Sequence, residues 1–210
     1  MNQRVPPSDL ELAALISSKI CHDVINPVGA INNGLDILDE DDNADAQKYA
    51  LDMIRNVTAQ ASARLQFARL AFGAAGSAGS MIDLTMAQQV TKGFIGQGKH
   101  KLQWSGPVGF MAKDKVKLLL NLSASAITAL PRGGDITVQI LGSLEVPSFE
   151  VRCRGTGVRP PQYLVDFIAG TPPPLDSQTI HAYYTARLAL NSGMSLKILQ
   201  DGSDIVLVAG

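Results

Sequence analysis

Apolar residues in the first part of the chain recur at helical spacing. Eight of them are separated by three or four positions, namely Leu12, Ile16, Ile20, Val24, Val28, Ile31, Leu35 and Leu38. This spacing places them on one face of an amphipathic helix. Pro6 and Pro7 exclude an earlier start, and Ser8 is a suitable N-cap. The pattern therefore predicts a helix from Ser8 to Leu38, roughly 45 Å long.

A second apolar stripe follows the acidic run 39–43. Its members are Ala46, Ala50, Met53, Val57, Ala61, Leu65, Ala68 and Phe72. Two long helices with a short connection form an antiparallel hairpin. A hairpin alone buries too little surface to be stable. We therefore predict that two copies of the chain pair their hairpins in an intermolecular four-helix bundle, which makes the protein a homodimer.

Residues 73–80 are all Gly, Ala or Ser and are typical of a flexible linker. The predicted domains are therefore 1–75 and 76–210. The second domain has periodic segments of both kinds, and its fold class is predicted as α+β, with helices on one face of a mixed sheet. The expected helices are Met86–Gln97, Lys113–Leu130 and Thr179–Asn191, and the expected strands are Asp135–Leu141, Phe149–Cys153, Leu196–Gln200 and Asp204–Val208.

The composition narrows the class of protein. The chain has 210 residues, is 46% apolar and carries a net charge of −1, which is typical of a globular protein and gives no field that favours nucleic acid. Neither a signal peptide nor a membrane-spanning stretch is visible, so we expect a cytoplasmic protein. Cys21 and Cys153 lack metal-site or redox spacing and are expected to be reduced thiols, and no metal site is expected.

His22 is the strongest candidate for chemistry. It lies about 200° around the first helix from the apolar stripe, so it is expected to face solvent. Asp23 or Asn26 can fix the tautomer of the imidazole, and Lys19 can offset the charge of a phosphoryl group. An exposed histidine is most often a plain surface residue. However, Pro27 inside the helix costs about 3 kcal/mol, and such an irregularity beside polar residues often marks a functional site.

The segment 21–31, CHDVINPVGAI, resembles the H-box of the dimerisation and histidine-phosphotransfer domain of two-component sensor kinases. In that family the histidine is followed by an acidic residue and, five positions on, by a proline. The resemblance implies that His22 is the phosphoacceptor and that Asp23 is its acidic neighbour. It also implies the helical hairpin over residues 8–72.

The second half resembles the ATP-binding domain of the same kinases, but without three of its nucleotide contacts. Residues 118–138 resemble the N-box region, with Ser125 in place of the asparagine that holds Mg²⁺. Residues 151–161 resemble the Asp-x-Gly-x-Gly box, with Cys153 in place of the aspartate that binds adenine. The segment 181–184, His-Ala-Tyr-Tyr, stands where a glycine-rich phosphate loop is expected. The domain is therefore predicted to be degenerate and unable to bind ATP, and Gly155 with Gly157 is read as a simple turn.

This combination is identified with the ChpT family of alphaproteobacterial histidine phosphotransferases. The resemblance implies a phosphorelay in which the chain takes a phosphoryl group from the receiver domain of a hybrid histidine kinase and delivers it to response regulators of the cell cycle. It implies no cofactor of its own, because the partner receiver supplies Mg²⁺. The expected docking residues are Ile25, Asn26, Gly29, Asn33 and Asp36 on the first helix and Arg55, Gln60 and Arg64 on the second.

Two other functions stay open from the sequence. One is an active histidine kinase that phosphorylates itself from ATP. The other is a non-enzymatic scaffold that binds receivers and in which His22 is incidental. Labelling from ATP distinguishes the first, and replacement of His22 distinguishes the second.

Overall fold

A computed structural model describes residues 6–40, 43–73, 80–96 and 98–210. The predicted domain boundary at residue 75 lies outside the described residues, as do most of the predicted linker, part of the acidic run and Gln97. None of the helices in the described ranges combines the length and the hydropathy that a membrane span needs.

Two long antiparallel helices form the N-terminal part, as predicted. Helix α1 spans Asp9–Glu40 and helix α2 spans Ala44–Ala71. Ser8 caps α1 through a capping box, because the backbone N–H of Glu11 donates to Ser8 Oγ while the N–H of Ser8 donates to Glu11 Oε2. The side chain of Asn43 caps α2 by accepting from the N–H of Asp45. Local sequence therefore fixes where each helix begins.

The contact between the two helices rests on small residues. Only Pro27 and Gly34 are buried in α1. A Cβ atom added at Gly34 would lie 2.6 Å from Cγ1 of Ile54, so the helices approach as closely there as a glycine permits. In contrast, Val28 and Leu35 of the predicted apolar stripe are each 46% exposed in the single chain. One copy of the hairpin therefore leaves part of its apolar face uncovered.

The C-terminal half, residues 80–210, is a mixed sheet with helices packed on it. Its strands are β1 Met81–Asp83, β2 His100–Ser105, β3 Phe110–Ala112, β4 Gly134–Gly142, β5 Pro147–Gly155, β6 Leu196–Asp201 and β7 Asp204–Ala209; its helices are α3 Leu84–Ile95, α4 Lys113–Ala129, α5 Gln162–Ile168 and α6 Ile180–Asn191. The main sheet has the order β2-β4-β5-β7-β6, in which only the β2–β4 pairing is parallel. This arrangement confirms the predicted α+β class.

The core of this half lies between the sheet and helix α4. Val116, Leu118, Leu119, Leu120 and Leu122 of that helix have no exposed surface. Alternate residues of β4 and β5 are buried, as expected for strands that present one face to a core. Gly202 has a φ of +60° in the turn between β6 and β7, a conformation that favours glycine.

Four short elements were not predicted from the sequence. Strands β1 and β3 have three residues each and pair with one another in a separate small sheet. Strand β2 alternates half-buried and exposed residues at the edge of the main sheet. Helix α5 has seven residues and follows Pro161. Segments of three or seven residues carry too few periodic positions to be distinguished from loops, and β2 has no fully buried residue to mark one face.

The end of α2 belongs to the core of the C-terminal half. Phe67, Leu70 and Ala71 are buried there, and the ring of Phe67 stacks on Phe94 of α3 with 4.1 Å between centroids. The side-chain amide of Asn121 donates to the carbonyl of Ala71 over 3.4 Å. The hairpin is therefore anchored at its base by apolar packing.

His181 lies at the same junction. Its ring meets Phe72 edge-on, with 6.2 Å between centroids. Its Nε2 atom is buried and has no hydrogen-bond partner among the described residues. The pKa of His181 is lowered to about 4, mainly by burial; the charge of Lys19 contributes to the shift, and that of Asp23 opposes it. The histidine is therefore neutral in the folded protein near neutral pH.

This low pKa predicts a loss of stability in acid. An unfolded histidine binds a proton near pH 6.5, so the unfolded state takes up more protons between pH 6.5 and 4 and is favoured as the pH falls. From pH 7 to pH 5 the effect is about 2 kcal/mol. In urea unfolding at fixed protein concentration, His181→Phe should reduce the loss between these pH values by about that amount. If His181→Phe loses as much stability between pH 7 and pH 5 as the wild type, His181 is not the source of the acid sensitivity.

Alanine substitutions at Gly34 and Gly29, which lie on different sides of α1, should have opposite effects on stability. Gly34→Ala should destabilise the fold by about 1–3 kcal/mol, because the added methyl group meets Ile54. Gly29 has nothing within 4 Å of an added Cβ, so Gly29→Ala should stabilise it by about 0.5–1 kcal/mol. Urea unfolding measures both variants. The prediction is wrong if Gly34→Ala is at least as stable as Gly29→Ala.

Candidate functional site

His22 projects from the middle of α1 into solvent, as predicted. Its side chain is 72% exposed. The residues expected to dock a partner on this helix are exposed along the same face, with Ile25 at 66%, and the others are Asn26, Gly29, Asn33 and Asp36. We call these five residues, together with His22, the outer face of α1. The absence of neighbours around Gly29 leaves space there for a side chain of another protein.

A carboxylate stands beside the imidazole. Oδ1 of Asp23 is 3.9 Å from Nδ1 of His22, which is too long for a hydrogen bond but close enough for a charge on the ring to be attracted. Lys19 donates to both carboxylate oxygens of Asp23, at 2.5 Å to Oδ1 and closer still to Oδ2. Because Nδ1 is the nitrogen nearer the carboxylate, Nε2 is the nitrogen available for an external reaction.

Lys19 contacts Asp23 in the structure, and its predicted role toward a phosphoryl group stays a prediction. Its ammonium group is engaged by Asp23, and its side chain is 25% exposed. It lines the space between the hairpin and the C-terminal half. Its direct contact is with the neighbour of His22, while a phosphoryl group on Nε2 would stand on the exposed side.

The three residues predicted on α2 lie in two places. Arg55 is exposed and forms an ion pair with Asp52 over 3.3 Å. Gln60 and Arg64 are half-buried and face the junction with the C-terminal half. Nη1 of Arg64 donates to the backbone carbonyl of Asp23 over 3.0 Å. The structure thus brings Arg64 beside the site and leaves Arg55 nine residues away on the surface.

A cavity of about 590 Å³ separates the site helix from the C-terminal half. The hairpin contributes Lys19, Asp23 and Arg64 to its wall, and the C-terminal half contributes Lys99 and His181. Sequence reasoning did not associate the last two residues with the site. The packing of α2 on α3 and α4 and of α1 on α6 brings them near, and no local sequence motif predicts that packing.

The positions that hold a nucleotide in kinases are occupied by groups with internal partners. The hydroxyl of Ser125 is buried and donates to the carbonyl of Asn121 over 2.9 Å. The thiol of Cys153 is fully buried and donates to the carbonyl of Ala126 over 3.9 Å. Burial raises the pKa of Cys153 to about 12, so it stays a neutral thiol. Neither side chain presents a free carboxylate or amide to a ligand.

The segment in place of the phosphate loop is part of a packed helix. His181 and Ala182 lie in the first turn of α6, and the following rings pack on Phe72 and Phe167 through Tyr184 and Tyr183. A neighbouring cavity of about 620 Å³ borders Ser125 and Tyr163. The backbone N–H groups that close on a phosphate in a glycine-rich loop are here inside a helix of large side chains.

Gly155 ends strand β5 and Gly157 lies in the turn that follows it, in agreement with the simpler interpretation. Gly157 has a φ of +70°, which favours glycine. A Cβ added at Gly155 would lie 2.7 Å from the carbonyl oxygen of Gly133, so glycine is also needed for close packing there. Both residues are explained by backbone geometry.

Comparison with known proteins agrees with the resemblance read from the sequence. A family model, the histidine phosphotransferase C-terminal domain, matches residues 84–204, which is more than half of the chain. Protein phosphotransferase ChpT of Brucella abortus (strain 2308) is 43% identical over 211 residues, covering 100% of both sequences. A solved structure of a bacterial phosphotransferase superimposes with a TM-score of 0.92 and 40% identity, again covering 100% of each chain. The chain therefore belongs to the ChpT family of histidine phosphotransferases.

Proposed function

We propose that the protein relays a phosphoryl group between receiver domains through His22. The donor is the receiver domain of a hybrid histidine kinase, and the acceptors are response regulators of the cell cycle. The observation that carries the proposal is the position of His22, exposed in the middle of α1 with a carboxylate on its Nδ1 side. We place this relay in the cytoplasm.

The chemistry requires little from this chain beyond the imidazole. Nε2 of neutral His22 attacks the phosphorus of an aspartyl phosphate, a P–N bond forms, and the P–O bond to the donor aspartate breaks. The ring keeps its proton on Nδ1 and gains positive charge, which the carboxylate of Asp23 stabilises. The reverse sequence charges the acceptor. Mg²⁺ for both steps comes from the receiver, so the chain needs no cofactor of its own.

The outer face of α1 is the proposed docking surface for receivers. Ile25 offers apolar contact area beside His22, and Gly29 offers room for a partner's side chain. Asn33 and Asp36 extend this surface towards the tip of the hairpin, where Arg55 adds a positive charge from α2. A receiver seated there brings its phosphorylated aspartate to Nε2.

We infer that the C-terminal half does not bind ATP. Three features support this: the hydroxyl of Ser125 is bonded inside its own helix, Cys153 is a buried neutral thiol, and tyrosine rings occupy the phosphate-loop position. The alternative, a kinase that phosphorylates itself, needs free ligands for Mg²⁺ and adenine at these positions. A scaffold without chemistry gives no role to the carboxylate beside His22.

We infer further that two copies of the chain form a homodimer through the hairpin. Val28 and Leu35 lie seven positions apart on α1 and are each 46% exposed. Leu51 and Leu65 on α2 are exposed to a similar degree. Apolar area of this kind on neighbouring helices is stabilised when a two-fold copy covers it, as in a four-helix bundle.

Removal of the imidazole predicts loss of transfer. With a receiver domain carrying labelled aspartyl phosphate as donor, the wild-type chain should become labelled and His22→Ala should not, because no other nucleophile on the outer face replaces Nε2. The histidine on β2 borders the cavity between the site helix and the C-terminal half, but it is half-buried and its Nε2 lies 2.9 Å from the carbonyl oxygen of Leu130. It provides a matched control: His100→Gln should still accept label. Equal labelling of His22→Ala and the wild type would refute the proposal.

The same assay distinguishes relay from autokinase activity. Labelled ATP with Mg²⁺ but without a receiver should leave the wild-type chain unlabelled. Label that appears on His22 from ATP alone would make the protein a kinase. Receiver binding without any transfer would favour the scaffold.

Charge on the uncovered apolar face should dissociate the dimer. Val28→Glu and Leu35→Glu together should convert the dimer to monomer in sedimentation velocity, because buried unpaired carboxylates oppose association. Ile25→Glu adds one carboxylate on the outer face and should leave the dimer intact. A dimer that survives the double substitution would place the interface elsewhere.

A further inference from the structure

Proline in the middle of α1 leaves one backbone carbonyl without its helical donor. In an α-helix the N–H of each residue donates to the carbonyl four positions earlier. Pro27 has no N–H, so the carbonyl of Asp23 loses that partner. Asp23 adjoins His22, and Pro27 is buried against the hairpin. The defect in the helix therefore falls one residue from the phosphoacceptor, on the side where α1 is covered.

Arg64 of α2 donates to this carbonyl. Its Nη1 atom is 3.0 Å from Asp23 O, across 41 residues of sequence. The guanidinium is half-buried at the junction with the C-terminal half. A charged donor to a carbonyl makes a stronger hydrogen bond than a neutral amide. The second helix thus supplies the hydrogen bond that the proline removes from the first.

We propose that Arg64 is a positioning residue for His22. By donating to the carbonyl of Asp23, Arg64 holds α1 at Pro27 in the geometry that phosphoryl transfer requires. The proposal rests on the function proposed above and gives Arg64 a different role from the receiver docking expected from the sequence. Lys19 holds the side chain of Asp23 and Arg64 holds its carbonyl, so the residue next to the imidazole is fixed at both ends.

The size of the expected effect depends on how α1 responds when the hydrogen bond from Arg64 is lost. A part-buried carbonyl without a donor is unfavourable, and α1 can relieve it by bending at Pro27, where its hydrogen-bond ladder is already broken. Such a bend turns His22 and Asp23 relative to a docked receiver. In-line transfer is sensitive to displacements of about 1 Å, so the step that suffers is the transfer itself and not the binding of the receiver.

Single-turnover transfer from a phosphorylated receiver, measured over a range of receiver concentrations, separates these two steps. Arg64→Met keeps the length of the side chain but removes its donors. It should lower the limiting rate about tenfold and leave the half-saturating concentration within about twofold of wild type. Arg64→Lys retains a donor and should recover most of the rate. Arg69, exposed on the same helix, is the matched control. Arg69→Met should leave the limiting rate and the half-saturating concentration unchanged.

A second substitution tests the carbonyl directly. Pro27→Ala restores the N–H that donates to Asp23 O, so Arg64 should become dispensable. In the Pro27→Ala background, Arg64→Met should change the limiting rate by less than about twofold, compared with about tenfold in the Pro27 background. An equal loss in both backgrounds would overturn the proposal. A raised half-saturating concentration with an unchanged limiting rate would assign Arg64 to docking.

Amide hydrogen exchange of the segment 24–31 provides a readout that does not depend on transfer. Arg64→Met should speed the exchange of this segment severalfold. Adding Pro27→Ala to that variant should restore the slow exchange of the wild type. If the wild-type chain transfers no phosphoryl group, the proposed function fails while this exchange still decides whether Arg64 holds the helix. Unchanged exchange in Arg64→Met would refute the positioning role by itself.

Discussion

The burial of the end of α2 in the C-terminal core is the interaction on which the rest of the structure depends. Phe67, Leu70 and Ala71 lie in one core with residues of α3 and α4, so the hairpin has a fixed base although its apolar stripe is only partly covered. This anchoring sets how α1 is rotated relative to the C-terminal half. As a result, His22 faces solvent while Lys19 and Arg64 face the junction.

In the C-terminal half, the polar positions that resemble nucleotide contacts of kinases take part in the fold. Ser125 and Cys153 each satisfy a carbonyl of α4. Phe72, at the end of α2, packs on His181 and Tyr184 where a flexible loop would otherwise stand. The rings of the segment 181–184 therefore help to hold the hairpin at the position where the resemblance to kinases predicts a phosphate loop.

The sequence predicted the long elements and the exposed histidine, because 28 to 32 residues give a clear helical period. The shortest strands and α5 were missed because they have too few positions. Among the site residues, the exposure of His22 followed from its angle to the apolar stripe. The half-buried positions of Gln60 and Arg64 could not be predicted, since they depend on which side of α2 meets another part of the chain, and periodicity within one helix does not specify that.

The close approach at Gly34 constrains residues far from it. The helices are so close there that a Cβ added at Gly34 would lie 2.6 Å from Cγ1 of Ile54. The hydrogen bond from Arg64 to Asp23 joins the same two helices about three turns away. A larger residue at position 34 would separate the helices and lengthen that bond. In sequences that diverge from this one, changes at positions 34, 54 and 64 should therefore be inherited together, with a smaller side chain at 54 compensating for a larger one at 34.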